Sequence, residues 1–392
     1  MELSAKVRQL EASPTLAIST EAKKLKETGK EVISLGAGEP DFNTPQHINQ
    51  AAVDAINNGF TGYTETIGIK ELREAVTEDL AQRDLNYDSN QIIVTSGAKY
   101  ALFNALLSII EEDDEVVLPA PYWVSYPEQI KFAGGRVVPV ETREKNSFKM
   151  TAQEFDAAVT DNTKAVIINS PGNPTGAVYT KDELQEIAEV ALENDVLIVS
   201  DEIYQKITYD QEAVSIASLG EEVKEKTIII DGVSKAYAMT GWRIGYAAAP
   251  KEVITAMGCL QSHSTSNPNS IAQKASKAAL KGSQEPTKKM VKAFKKRRNL
   301  LVDLMNSIPG IKAIKPQGAF YLFVNVKEMI NSGINGKVID DDQQLAEVLL
   351  HQAGVATIPG SFFGKEGYLR LSYAAAEEKL KRAGEKIKEL AK

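Results

Sequence analysis

The chain has 392 residues, 43% hydrophobic and 25% charged, fractions ordinary for a soluble globular protein and sufficient for two domains or one large domain with an appended lobe. A formal net charge of -8 argues against nucleic acid as a partner. The single cysteine, Cys259, cannot close an internal disulfide, which points to a reducing cytoplasm.

At the start, Met1-Glu2-Leu3-Ser4-Ala5-Lys6 leads into further charges with no apolar core, so it does not read as a signal peptide. The longest apolar stretch, near 101–110, contains Asn104 and Ser108 and is too short to span a bilayer. Short runs rich in Val and Ile then recur at 92–94, 116–118, 137–140, 165–168, 196–199 and 227–230. Such continuous runs predict strands buried on both faces, as in a mostly parallel sheet. Helical patterns lie between several of them. The clearest opens at Thr180, with Glu183 completing a capping box and Leu184, Ile187, Ala188 and Ala191 forming one apolar face. Alternation of strand and helix predicts right-handed crossovers with helices on both faces of the sheet.

Further on, Lys288, Lys289, Lys292, Lys295, Lys296, Arg297 and Arg298 are interleaved with Met290, Val291, Phe294, Leu300 and Leu301. This spacing predicts one solvated helix face rather than a nucleic-acid patch. Helices near 286–306 and 342–352, strands at 320–324 and 368–372, and a last helix from about 376 predict a smaller α+β lobe. The expected division is therefore an N-terminal segment 1–44 packing with the small domain, a large domain 45–284 and a small domain 285–392.

The unusual residues fall just after predicted strands. Ser96-Gly97-Ala98-Lys99 follows the first, Pro121-Tyr122-Trp123 the second, and Asn169-Ser170-Pro171-Gly172-Asn173-Pro174-Thr175-Gly176 the fourth. Asp201-Glu202-Ile203-Tyr204 and Ser234-Lys235 follow the next two. Taken singly, these are a turn, a cap or a surface lysine. Ligands of an open parallel sheet bind at the carboxyl ends of its strands, so together the segments should converge on one crevice. Ser96-Gly97-Ala98 opening a helix would seat an anion there.

Ser234-Lys235 is followed by Gly241-Trp242-Arg243-Ile244-Gly245. With Asn173, Asp201 and Tyr204 before it, Gly38-Glu39-Pro40-Asp41-Phe42 earlier and Arg370-Leu371-Ser372 later, the order resembles the class I/II aminotransferases of pyridoxal-phosphate (PLP) fold type I. The resemblance covers almost the whole chain and is greatest to the bacterial aspartate aminotransferases of the shorter subgroup. It implies an α/β fold, with a mostly parallel seven-stranded sheet flanked by helices on both faces and a smaller α+β domain.

The resemblance also implies roles. Lys235 matches the Schiff-base lysine, which then moves the proton. Asp201 matches the partner of the pyridine nitrogen, Tyr204 and Asn173 the partners of the phenolic oxygen, and Trp123 the indole on the ring face. Gly97, Ala98, Ser234 and Arg243 match the phosphate cup, with Tyr63 reaching the phosphate of the other subunit of a homodimer. Arg370, assisted by Gly38 and Asn173, matches the site of the substrate α-carboxylate, for which a planar fork suits two oxygens. Lys99 stands where the shorter subgroup places a cation for a second carboxylate; its plain alternative is a solvated helix-terminal lysine. Ser13 and Thr15 sit where an N-terminal segment could close over that carboxylate, and Glu11 and Ala12 add no cation there.

The implied activity moves an amino group between L-aspartate and 2-oxoglutarate by a ping-pong route. Rival readings are an aminotransferase for aromatic or prephenate-type substrates and a cystathionine-type β-lyase. A PLP-dependent transcription regulator would need a further DNA-binding domain, and a non-catalytic binding protein would not need Lys235, Asp201 and Arg370 together. His47, His263 and His351 are far apart, so no metal site is expected.

Overall fold

The computed structural model describes residues 4–8, 10, 14–330, 334 and 338–391. A short strand, β1 (Ile33–Ser34), comes first. Then follow β2 (Ile92–Thr95), β3 (Glu115–Ala120), β4 (Arg136–Glu141), β5 (Thr163–Asn169), β6 (Leu197–Asp201), β7 (Thr227–Gly232) and β8 (Gly245–Ala248). The C-terminal part adds β9 (Lys312–Ala313), β10 (Tyr321–Asn325), β11 (Val355–Ala356), β12 (Ile358–Pro359) and β13 (Tyr368–Ser372).

Among the described residues, β2 to β8 form a seven-stranded sheet in the order β2-β8-β7-β6-β5-β3-β4. Only β8 runs against its neighbours; the other pairings are parallel. The carboxyl ends of β2, β3, β5, β6 and β7 therefore share one edge, where Asn169 lies beside Asp201 and Asp201 beside Ile230. Continuous apolar runs are what a sheet covered on both faces requires. Ile93, Leu118, Ile167 and Val199 pack under helices Ala98–Ile109 and Ser125–Ala133. Val117, Val166, Ile168 and Ile198 pack under helix Lys181–Glu193, whose Thr180 and Glu183 form the expected reciprocal cap.

A second, four-stranded sheet has the order β12-β13-β10-β9, with Phe323 opposite Arg370 in the antiparallel pair β10–β13. Its core of Phe320, Leu322 and Leu371 packs with Phe294, Leu301 and Met305 of helix Glu285–Asn306 and with Leu380 and Ile387 of helix Glu377–Leu390. Ile33 and Leu35 join the same core, and β1 pairs in parallel with β11. No helix among the described residues is long and apolar enough to cross a membrane.

Two expectations need correction, and one strand carries no apolar signal. The run at 137–140 is not buried on both faces: β4 is the edge of the sheet, with Arg136 and Pro139 exposed, and an edge is where a proline without an N–H is tolerated. Arg298 is not on a solvated face. It continues the buried stripe Met290–Phe294 at the next i+4 position, is fully buried, and donates to Asp210 at 2.6 Å and to the Pro316 carbonyl at 3.0 Å. The strand β8 had no apolar run to announce it, because its Gly-Tyr-Ala-Ala sequence is small for a reason. A Cβ on Gly245 would lie 2.1 Å from the Ala98 nitrogen, so the second glycine of Gly-Trp-Arg-Ile-Gly lets β8 pass under the start of helix Ala98–Ile109.

Candidate active site

The loops after these strands converge on one crevice. Gly97, with φ of 89°, turns the chain from β2 into helix Ala98–Ile109. A Cβ there would lie 2.3 Å from a terminal nitrogen of Arg243, so only glycine lets that guanidinium approach the helix start. Arg243, itself at φ of 56°, is braced by donation to the Thr240 carbonyl at 2.9 Å. Free amides at a helix N-terminus beside a guanidinium make an anion seat. Ser234 is buried nearby in the chain, immediately before Lys235.

Lys235 Nζ donates to the Gly38 carbonyl at 2.6 Å and lies 5.9 Å from the Tyr204 ring centroid. Burial lowers its pKa to about 8, against the pull of Glu39 and with help from the Arg243 and Arg370 cations. A lysine in that range supplies the neutral amine needed to attack an aldehyde.

Asp201 ends β6 with its side chain on the face covered by helix Ser125–Ala133. Its carboxylate accepts from the Tyr126 hydroxyl at 2.8 Å and from the Ile203 amide at 3.2 Å. It forms no ion pair among the described residues. Burial, with Glu202 adding repulsion, pushes its pKa up to about 6. A buried carboxylate with only neutral donors has spare capacity for a cation.

Arg370, on β13, is the converse. It is buried, donates to Asn173 Oδ1 at 2.9 Å and to the Gly36 carbonyl at 2.8 Å, and leaves its Nε without a partner. The guanidinium carbon stands 4.5 Å from the Tyr321 ring centroid and 5.0 Å from that of Phe363. No carboxylate meets it among the described residues, and desolvation lowers its pKa. Because Asn173 Oδ1 faces Arg370, both amide hydrogens of Asn173 remain available to another acceptor.

Trp123 meets Tyr126 edge-on at 5.4 Å, and the Lys99 ammonium lies 4.8 Å from the indole centroid. Desolvation and the Arg243 charge both lower the Lys99 pKa. Thr15 lies in helix Pro14–Glu27; Glu11, Ala12 and Ser13 fall outside the described residues. Tyr63 stands apart from this crevice's core contacts, 93% exposed.

Several contacting residues were not singled out from the sequence. Tyr126 could have been, since it follows Trp123 by three positions at the start of a helix. Asn169 holds the loop through its donation to the Asp201 carbonyl at 2.9 Å and its acceptance from the Asn173 amide at 2.8 Å. Tyr321 carries no local signal; it is one residue of an apolar strand. Gly36 contributes a carbonyl to Arg370, which no side-chain pattern reports, whereas Gly38, expected to assist Arg370, offers its carbonyl to Lys235.

The family model for aminotransferase class I and II matches residues 30–387. The aspartate aminotransferase of Bacillus subtilis is 50% identical over 390 residues, covering 99% of this chain and 98% of that protein. The aspartate/prephenate aminotransferase of Nitrosomonas europaea is 43% identical, covering 100% of each. The crystal structure of the aspartate aminotransferase from Rhizobium meliloti superposes with a TM-score of 0.97 at 41% identity, covering 100% of this chain and 99% of that one. The chain belongs to the class I and II aminotransferase family. It is a PLP-dependent aminotransferase, and the residues described fit that cofactor: an anion seat at Gly97, Ala98 and Arg243, an unpaired buried carboxylate, and a lysine of lowered pKa.

A folded-state pKa of about 6 for Asp201, above the ~3.9 of an unfolded aspartate, fixes a stability prediction. Ionising this group costs the folded apoprotein stability, a cost that grows as pH rises through that interval and is complete above it. Asp201→Asn is therefore expected to stabilise the cofactor-free protein by about 1–3 kcal/mol at pH 8, with the gain vanishing near pH 4. Urea unfolding of both proteins across that range checks it; equal midpoints at pH 8 would contradict it.

Proposed function

We propose that this aminotransferase takes the amino group from L-aspartate and gives it to 2-oxoglutarate, forming oxaloacetate and L-glutamate in a ping-pong sequence. The observation that carries the reading is a pair of cations bordering one crevice: Arg370, buried without a counter-charge, and Lys99, resting on the Trp123 ring. A C4 or C5 dicarboxylate needs one cation for each end. The Bacillus subtilis relative bears the name aspartate aminotransferase, which favours the same substrate. The Nitrosomonas europaea name adds prephenate, so a second acceptor of that type is part of the reading.

In this reading Arg370 receives the α-carboxylate in a two-pronged contact, oriented by Asn173 and the Gly36 carbonyl. Lys99 meets the distal carboxylate. PLP supplies an electron sink for the bond being broken. Asp201, held by Tyr126, keeps a positive charge on the pyridine nitrogen by pairing with it. Tyr204 and Asn173 donate to the phenolic oxygen. Gly97, Ala98, Ser234 and Arg243 hold the phosphate, and Trp123 covers one ring face. Lys235 would carry the cofactor, and its amine would move the proton at the substrate α-carbon; the Gly38 carbonyl accepts from its Nζ. The exposed Tyr63 completes the phosphate site of a partner subunit, which makes the working form a homodimer.

Half-reactions test the activity. Aspartate and glutamate are expected to convert the enzyme's visible band to that of pyridoxamine phosphate, and borohydride to fix the cofactor on Lys235. Release of pyruvate and ammonia from cystathionine, or a label elsewhere, would overturn the assignment. Lys99→Ala is expected to lower kcat/KM for aspartate roughly 10- to 100-fold while sparing alanine; an unchanged preference removes the distal-carboxylate role. Sedimentation of active enzyme is expected to give twice the chain mass, and full activity in a monomer would contradict the shared site.

A further inference from the structure

Tyr321 touches three of the site's parts at once. It stands on β10, in the four-stranded sheet, and is buried. Its hydroxyl is 2.8 Å from that of Tyr204, which belongs to the loop after β6 of the other sheet. Its ring lies 4.5 Å from the Arg370 guanidinium carbon, and a Cβ on Gly38 would stand 3.4 Å from its hydroxyl. The Gly38 carbonyl in turn accepts from Lys235. One phenol thus contacts Arg370 and the phenol beside the lysine, and its hydroxyl borders the space over Gly38, whose carbonyl seats the lysine.

The hydrogen bond between the two tyrosines has a direction problem. Each hydroxyl owns one hydrogen, and either can donate in the chain as it stands. Once an acceptor oxygen lies in front of Tyr204, that residue can serve it only with its own hydrogen. The second hydrogen must then come from Tyr321. A hydroxyl that accepts one hydrogen bond becomes a stronger donor of another.

We propose that Tyr321 is a positioning residue: its hydroxyl donates to Tyr204 and so commits the Tyr204 hydrogen to the cofactor's phenolic oxygen, while its ring supports Arg370. This rests on the PLP site described above. The charged and titratable groups facing the pair are Arg370 from β13 and Asp201 from the end of β6, with Lys235 beside Tyr204. Glu39, Arg243, Arg370 and Asp201 face that lysine. Donation by Tyr204 to that oxygen would stabilise its anionic form and so lower the pH at which the bound cofactor gives up its proton.

Tyr321→Phe keeps the ring beneath Arg370 and removes only the donor. The measurement is the pH midpoint of the visible band in purified, substrate-free holoenzyme. Tyr321→Phe is expected to raise that midpoint by about 0.4–1 pH unit, the worth of one hydrogen bond. Maleate binding, read by the same band, is expected to change less than twofold because the support of Arg370 survives. Tyr373→Phe serves as the control. It removes another buried phenol, which contacts the Gly318 and Ala319 carbonyls at 3.4 and 3.3 Å, and it should leave the midpoint in place. An unmoved midpoint in Tyr321→Phe, or an equal shift in Tyr373→Phe, overturns the proposal. Absence of any visible band in the unaltered protein would instead defeat the underlying cofactor assignment, so the two failures are distinguishable.

Discussion

Charge buried without a counter-charge is the constraint around which this molecule is organised. Asp201 and Arg370 are both almost wholly enclosed, yet each is satisfied only by neutral partners. Asp201 has the Tyr126 hydroxyl and the Ile203 amide; Arg370 has the Asn173 amide oxygen, the Gly36 carbonyl and two aromatic faces. Neutral partners lower the cost of desolvation without cancelling the charge. At other buried positions the protein cancels it. On the other face of the sheet, Glu202 and Asp231 meet Arg83 at 2.8 and 3.4 Å, and the buried Arg298 meets Asp210 at 2.6 Å. Asp342, buried against the Ser361 amide at 2.8 Å, is a further carboxylate without an ion pair among the described residues, but Asp201 and Arg370 differ from it in that both act on Lys235.

Keeping such charges apart and fixed needs a rigid frame, and the sheet provides it. Parallel pairing puts Asn169 and Asp201 side by side at adjacent strand ends, so the loop carrying Asn173 and the carboxylate are held by the same hydrogen bonds. Alternation along β6 sends Asp201 to the face of Tyr126 and Glu202 to that of Arg83. Antiparallel β8 then brings Arg243 back to the start of helix Ala98–Ile109, through two glycines whose side chains would occupy that space. The anion seat and the carboxylate are thus consequences of one register.

What the sequence made legible was whatever local pattern dictates. Strands at 92–94, 165–168 and 227–230 were readable because a run buried on both faces must be apolar throughout, and the Thr180 cap because its two residues satisfy each other three positions apart. Position at strand ends was enough to gather Gly97, Asn173, Asp201 and Lys235. β8 escaped because close approach to another backbone selects small residues, which carry no strand signal. Arg298 misleads because its charge argues for the solvated face, while the i+4 stripe through Met290 and Phe294 places it inside. Tyr321 was invisible for a different reason. Its importance arises from what lies across from it in another sheet, 117 positions away from Tyr204 in the chain.

The two sheets divide the chemistry, and Asn173 and Tyr321 are two of the side chains that join them at the site. The seven-stranded sheet carries Asp201, Tyr204 and Lys235; the four-stranded one carries Arg370. Asn173 crosses the gap by accepting from Arg370 with its oxygen while keeping its amide hydrogens free, and Tyr321 crosses it by meeting Tyr204 with its oxygen while its ring faces the arginine. In both cases a single rigid group meets the Arg370 guanidinium from the other part of the site. Asn173 occupies one terminal nitrogen of Arg370 and the Gly36 carbonyl the other, so Nε and the remaining hydrogens stay open to a further acceptor while the link between the sheets persists.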